Sequence, residues 1–177
     1  MSTNSVPTGI GLGMRSRFAA RLAKGHADGR IDFIEVAPEN HMQRGGRWPH
    51  FLEQARRFHP VITHGLTMSL GGEAPLAGDY LQEVAGLCAT VETPWHSDHL
   101  CFAADGDDRL HDLLPIPFTK RGAARVAERV KQARSALGRE MLIENISQYL
   151  RMGHAEMDEA AFIVEVATQA DCGLLLD

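Results

Sequence analysis

Two observations predict a parallel α/β fold of the barrel kind. Short apolar runs alternate with longer amphipathic stretches throughout the chain, and that alternation calls for a parallel sheet covered by helices. No G-x-G-x-x-G opens a helix after a strand. Gly9-Ile10-Gly11-Leu12-Gly13 comes nearest with the wrong spacing, which weakens a dinucleotide-binding reading and leaves a (β/α) barrel. A full barrel takes eight units and about 250 residues. This chain supplies 177 residues and six apolar runs. The expected organisation is therefore one incomplete barrel domain over residues 1–177, with about six of the eight βα units.

The runs occupy residues 9–12, 31–36, 61–64, 93–96, 141–144 and 173–177. Each is short, β-branched or leucine-rich, and bounded by Gly, Pro or charge, as buried parallel strands are. The stretches between them carry helical spacing. Met14, Phe18 and Leu22 recur every four residues. Trp48, Phe51, Leu52, Ala55 and Phe58 make a second stripe, and Tyr80, Leu81, Val84, Leu87, Cys88 and Val91 a third. Val126, Val130, Ala133 and Leu137 make a fourth. Phe162, Val166, Ala167 and Ala170 make the last, with Asp158 placed to cap it. Residues 103–118 are long for a βα connection and contain an Asp-Gly-Asp-Asp turn at 105–108. The chain stops directly after a Leu-Leu-Leu run, which reads as truncation.

Composition excludes several classes. The net charge is −5 with scattered basic residues, a poor match to nucleic acid. The Lys/Arg series over residues 120–139 reads as the wet face of a helix. Three cysteines without a close pair argue against a disulfide framework. No apolar run approaches the roughly 18 residues of a membrane span, and residues 1–8 lack the apolar core of a signal peptide. A reducing cytoplasm is the expected location. Nine histidines permit a metal site without showing one. Of these, His26, His50, His59 and His154 are expected in solvent, while Cys88 falls in a core stripe.

Barrel chemistry sits at the C-terminal ends of strands, so the polar residues closing the runs are informative. The second run ends in Glu35, followed by Glu39, Asn40 and His41. The third ends in His64, the fourth leads into His96, Asp98 and His99, the fifth ends in Glu144-Asn145, and the sixth in Asp177. Imidazole and carboxylate together suit a first-row divalent metal. Any one of them is as readily a hydrogen-bonded structural residue or a helix cap, so the joint pattern carries the reading. Alternation puts Ser97 and His99 on one strand face and His96 and Asp98 on the other, without choosing between the histidines.

Taken together, Glu35-Val-Ala-Pro-Glu-Asn-His41, His64-Gly-Leu-Thr-Met-Ser-Leu-Gly71, Ser97-Asp-His-Leu-Cys-Phe102, Leu114-Pro-Ile-Pro-Phe-Thr119, Ile143-Glu-Asn-Ile-Ser147 and Leu174-Leu-Leu-Asp177 resemble the multinuclear non-haem iron-dependent oxidative enzymes. The resemblance runs from Gly9 to Asp177. It implies a xylose-isomerase-like barrel with two or three iron ions at the rim and use of O2. It also implies modification of cysteine in a ribosomally made precursor peptide, assisted by a small leader-recognising partner protein. Carried over, His64, His99, Glu144 and Asp177 are the implied metal ligands, with Asp98, Asn145, Glu35 and Glu39 around them. The family's Leu-Asp-x-Asn-Asn motif stops here at its Asp, and its later ligands are absent from this sequence. Two other readings stand beside this one. The first is a divalent-metal isomerase or endonuclease-like barrel that uses no O2, and the second is a non-catalytic truncated remnant.

Overall fold

A computed structural model describes residues 6–25, 29–42, 45–105, 108–150 and 152–177. Six strands form one parallel sheet: β1 (Gly11–Gly13), β2 (Phe33–Val36), β3 (Val61–His64), β4 (Trp95–His99), β7 (Glu140–Glu144) and β8 (Gly173–Leu175). They lie side by side in that order, and every pairing is parallel. Helices α1 (Ser16–Leu22), α2 (Arg47–Ala55), α3 (Gly78–Val91), α4 (Lys120–Leu137) and α5 (Glu159–Ala170) make the connections. This is a partial (β/α) barrel, as the alternating pattern predicts.

The ladder register fixes which side chains share a face. Val36, Thr63, His96 and Met141 are successive cross-strand partners, as are Asp98 and Ile143. Met141 and Ile143 pack with Val126, Val130, Phe162 and Val166 from α4 and α5. Ile34, Val36 and Val61 pack with Leu22, Leu52 and Ala55 from α1 and α2. That row, including His96 and Asp98, therefore faces the helices. Glu35, His64, Ser97, His99 and Glu144 are one residue out of phase and line the opposite face.

Asp158 caps α5 as expected, its Oδ1 accepting from Ala161 N at 2.8 Å. Thr119 does the same for α4, accepting from Gly122 N at 3.0 Å. The fourth strand begins later than its apolar run, at Trp95, and carries through Ser97, Asp98 and His99. The long connection after it holds an antiparallel hairpin, β5 (Phe102–Asp105) with β6 (Asp108–Leu114). Gly106 and Asp107 of the expected turn lie outside the described residues, as does His26.

Two expectations fail on depth. His59 is buried, at 6% exposure, rather than in solvent, and burial pushes its pKa down. It lies just past α2, where the chain turns back into β3. The basic series of α4 is not all wet either. Arg129 is buried, and its guanidinium donates to Ala74 O at 2.6 Å and Ser69 O at 3.0 Å. Arg125 reaches Gly71 O at 3.2 Å and Glu73 at 2.9 Å. These arginines supply the donors that the carbonyls of the β3–α3 loop would otherwise lack. Ser69 in that loop takes a left-handed φ of 56°, and its Oγ accepts from Ala103 N and Ala104 N, tying the hairpin down.

Candidate metal centre

Strands β3, β4 and β7 end side by side, and their last residues are His64, His99 and Glu144. His99 and Glu144 are direct cross-strand partners, while His64 pairs with Ser97, two residues before His99 on the same face. Parallel register and period-two alternation thus bring the three side chains together without any special loop. Glu144 Oε2 sits 3.0 Å from His64 Nε2 and 3.2 Å from His99 Nε2. The two imidazoles are 4.6 Å apart between ring centres and inclined at 67°. One potential ligand atom from each residue falls within 4.8 Å of the others.

The site is largely buried, and two of its atoms lack partners. Glu144 Oε2 makes no well-aligned hydrogen bond, and neither does His99 Nδ1 among the described residues. A buried carboxylate oxygen facing two ring nitrogens at hydrogen-bond distance, yet unsatisfied, calls for an explanation. Two neutral imidazole nitrogens and one carboxylate oxygen form a donor set that fits a first-row divalent cation. The charge balance agrees with this. Burial pushes the His64 pKa down, but Glu144, then Glu35 and Asp98, outweigh it, so the ring holds its proton more tightly than usual. A cation would displace that proton and take its place beside the carboxylate.

The other expected site residues lie around this centre in distinct roles. Glu35 shares the face and contributes charge to His64. Glu39 is a structural clamp. Its Oε1 accepts from Leu66 N at 2.8 Å, Thr67 N at 3.1 Å, Thr67 Oγ1 at 3.3 Å and the Tyr80 hydroxyl at 2.7 Å. It therefore pins the turn directly after His64. Burial, with the Asp98 and Glu39 carboxylates, keeps the Tyr80 phenol protonated. Asn145 forms a reciprocal pair with the backbone of Asp177, Asp177 N to Oδ1 at 3.0 Å and Nδ2 to Asp177 O at 3.2 Å. Asp177 itself is exposed and does not join the cluster of three.

Asp98 belongs to the opposite face. It is fully buried, its Oδ1 accepts from His99 N at 2.8 Å, and its Oδ2 lies 3.9 Å from His96 Nε2. Burial opposes a charge on His96, but Asp98, helped by the Cys88 sulfur, outweighs it, and the pKa is pushed up to about 9. Gly65 lies against this pair. A Cβ there would stand 2.3 Å from Asp98 Oδ2 and 2.9 Å from His96 Nε2, so the close approach demands glycine. Cys101 is fully buried beside Ala103 and Ile146, where burial pushes its thiol pKa up, away from the thiolate that metal binding needs.

Ser97 and Tyr80 are the residues that sequence reasoning passed over. Ser97 shares His99's face in the alternation, which was the signal available. Tyr80 belongs to the third helical stripe, and that spacing gives no sign of its hydroxyl's bond to Glu39.

Strand ends that gather two histidines and a glutamate on one rim define a (β/α)-barrel protein with a metal-type ligand set. Solved structures agree on the fold. A D-psicose 3-epimerase from Clostridium cellulolyticum superposes with a TM-score of 0.61 at 13% identity, covering 96% of this chain and 62% of that one. An L-ribulose 3-epimerase gives 0.55 at 15% identity, covering 94% and 59%. These are xylose-isomerase-like barrels. The chain belongs to the family described as RiPP precursor modification enzyme MbnB/TglH/ChrH, matched over residues 9–177. Curated relatives include UPF0276 proteins from Anaeromyxobacter sp. strain Fw109-5, 41% identical over 170 residues, and Acinetobacter baylyi, 44% identical over 169 residues. Each match covers 96% of this chain but 59% and 58% of the relative, so the chain spans about three fifths of their length.

Proposed function

We propose that this chain carries metal-binding residues of an iron- and O2-dependent enzyme that oxidatively modifies cysteine in a ribosomally made precursor peptide. The observation that carries the reading is the unsatisfied Glu144 Oε2 held between His64 Nε2 and His99 Nε2, in a chain whose family modifies such precursors. His64, His99 and Glu144 would hold the first ion. Asp177, steadied by Asn145, would serve a further ion of a two- or three-iron centre. Bound iron supplies the one-electron chemistry that couples O2 to oxidation of a thiol-bearing carbon.

The chain's own residues do the rest. The rim presents a buried, carboxylate-lined face on which a cysteine thiol can be deprotonated and held out of water. Glu39 and Tyr80 hold the turn after His64, which fixes where that ligand stands. A small leader-binding partner protein would deliver the peptide, in the cytoplasm. No helix among the described residues is long and apolar enough to cross a membrane.

The test is anaerobic loading with ferrous iron, followed by metal analysis of the chain and of its Glu144→Gln variant. O2 uptake by a relative-length protein is then measured with a cysteine-containing precursor. Iron retained by the parent and lost by the variant, with peptide-dependent O2 uptake, is the expected result. Preference for manganese, magnesium or zinc, with no O2 consumption, would overturn the oxidative reading in favour of an isomerase-like barrel.

A further inference from the structure

We propose that Ser97 is a positioning residue that fixes which nitrogen of His64 carries the proton, and so aims the Nε2 lone pair at the metal position. Ser97 Oγ lies 3.3 Å from Thr63 O and 2.9 Å from His64 Nδ1. A carbonyl oxygen only accepts, and a serine hydroxyl has one proton to donate. Once that proton goes to Thr63 O, Oγ must accept from His64, and Nδ1 must be the protonated nitrogen. In a metal-bound ring Nε2 is then the donor atom, and Nε2 is the nitrogen beside Glu144, at 3.0 Å.

The placement is rigid for reasons of sheet geometry. His64 and Ser97 are cross-strand partners in the β3–β4 ladder, and Gly65 N donates to Ser97 O at 2.7 Å, continuing the pairing past the strand end. Ser97 is fully buried, so solvent does not compete for its hydroxyl. Thr63, whose carbonyl receives the serine proton, is fully buried as well. The second imidazole has no such control, since His99 Nδ1 makes no hydrogen bond among the described residues. The centre therefore pairs one ligand of fixed tautomer and orientation with one free to adjust.

This inference rests on His64 being a ligand, and the experiment separates the two claims. The chain is labelled with 15N-histidine, and its imidazole N–H resonances are recorded metal-free and zinc-loaded, with His64→Gln supplying the assignment. Zinc affinity is measured by chelator competition for the parent, Ser97→Ala and Ser97→Thr, with folding checked by circular dichroism. The expected result is a slowly exchanging Nδ1–H on His64 in both states. That resonance is lost in Ser97→Ala and regained in Ser97→Thr. Zinc affinity in Ser97→Ala is expected to fall about 10- to 100-fold, the usual effect of removing a residue that orients a metal-binding histidine, with most of it restored in Ser97→Thr. A zinc-loaded His64 protonated at Nε2, or a Ser97→Ala variant of unchanged affinity and unchanged Nδ1–H exchange, would overturn the proposal. A parent that binds no zinc yet keeps the Ser97-dependent Nδ1–H resonance supports the tautomer assignment while removing His64 from the ligand set.

Discussion

Replacing Asp98 with asparagine tests the buried charge behind the candidate metal centre, on the helix-facing side of β4. His96 and Asp98 are both fully buried, and the His96 pKa rises from 6.5 to about 9. The sign follows from linkage. A histidine whose pKa is raised by folding contributes stability that is fully present below its unfolded pKa of 6.5 and is lost as pH rises through about 9. Each pKa step of one corresponds to about 1.4 kcal/mol, so the whole contribution is at most about 3.5 kcal/mol. The 3.9 Å separation of Nε2 from Oδ2 is too long for a hydrogen bond, and it places the value below that ceiling.

Asparagine suits the position. Its Oδ1 can still accept from His99 N. The substitution removes charge while keeping shape. The assay is urea denaturation of the parent and Asp98→Asn across the interval from below 6.5 to above 9, which covers the two pKa values of His96. The stability difference between the two proteins cancels the titration of other groups. It is expected to favour the parent at the acid end and to shrink by about 1–3 kcal/mol, vanishing or reversing at the alkaline end. A difference that stays constant across the interval would show that His96 is not charged by Asp98, and the electrostatic argument would fail.

Three further outcomes follow from the geometry. Gly65→Ala forces a Cβ to 2.3 Å from Asp98 Oδ2 and should cost about 1–3 kcal/mol by thermal or chemical melting. Tyr80→Phe removes the 2.7 Å donation to Glu39; because Glu39 Oε1 retains three other donors, the loss should fall near the low end of about 1.5–3 kcal/mol, read from denaturation midpoints. Glu144→Gln removes the carboxylate oxygen beside both ring nitrogens, so the melting-temperature shift produced by added metal should disappear.

The six parallel strands were legible because each is a short apolar run with sharp boundaries, although β1 and β8 at the sheet edges are only partly buried. The hairpin was not. β6 reads Asp-Arg-Leu-His-Asp-Leu-Leu, which has no clean alternation of apolar and polar residues to mark it as a strand. His59 and Arg129 misled for another reason. Pattern reports which way a side chain points, not how deep it lies, and a buried arginine is tolerated here because the carbonyls of Ser69 and Ala74 receive it.

The site was legible as far as strand ends reach. His64 and Glu144 close apolar runs, so their place on the rim follows from the barrel rule alone. Alternation alone left His96 and His99 open, the family resemblance pointed to His99, and the register puts the two on opposite faces. The pairing of His96 with Thr63 and Met141 turns it toward α3 and α4, while the pairing of His99 with Glu144 turns it toward the centre. The two faces of β4 are nonetheless one device. Asp98 carries the His96 charge on one side and accepts the His99 backbone N–H on the other, and Ser97 between them holds His64. A change on the helix side of this strand therefore reaches the candidate ligands through a backbone hydrogen bond. The metal affinity of Asp98→Ala should accordingly suffer more than that of Asp98→Asn, because only alanine removes the acceptor for His99 N.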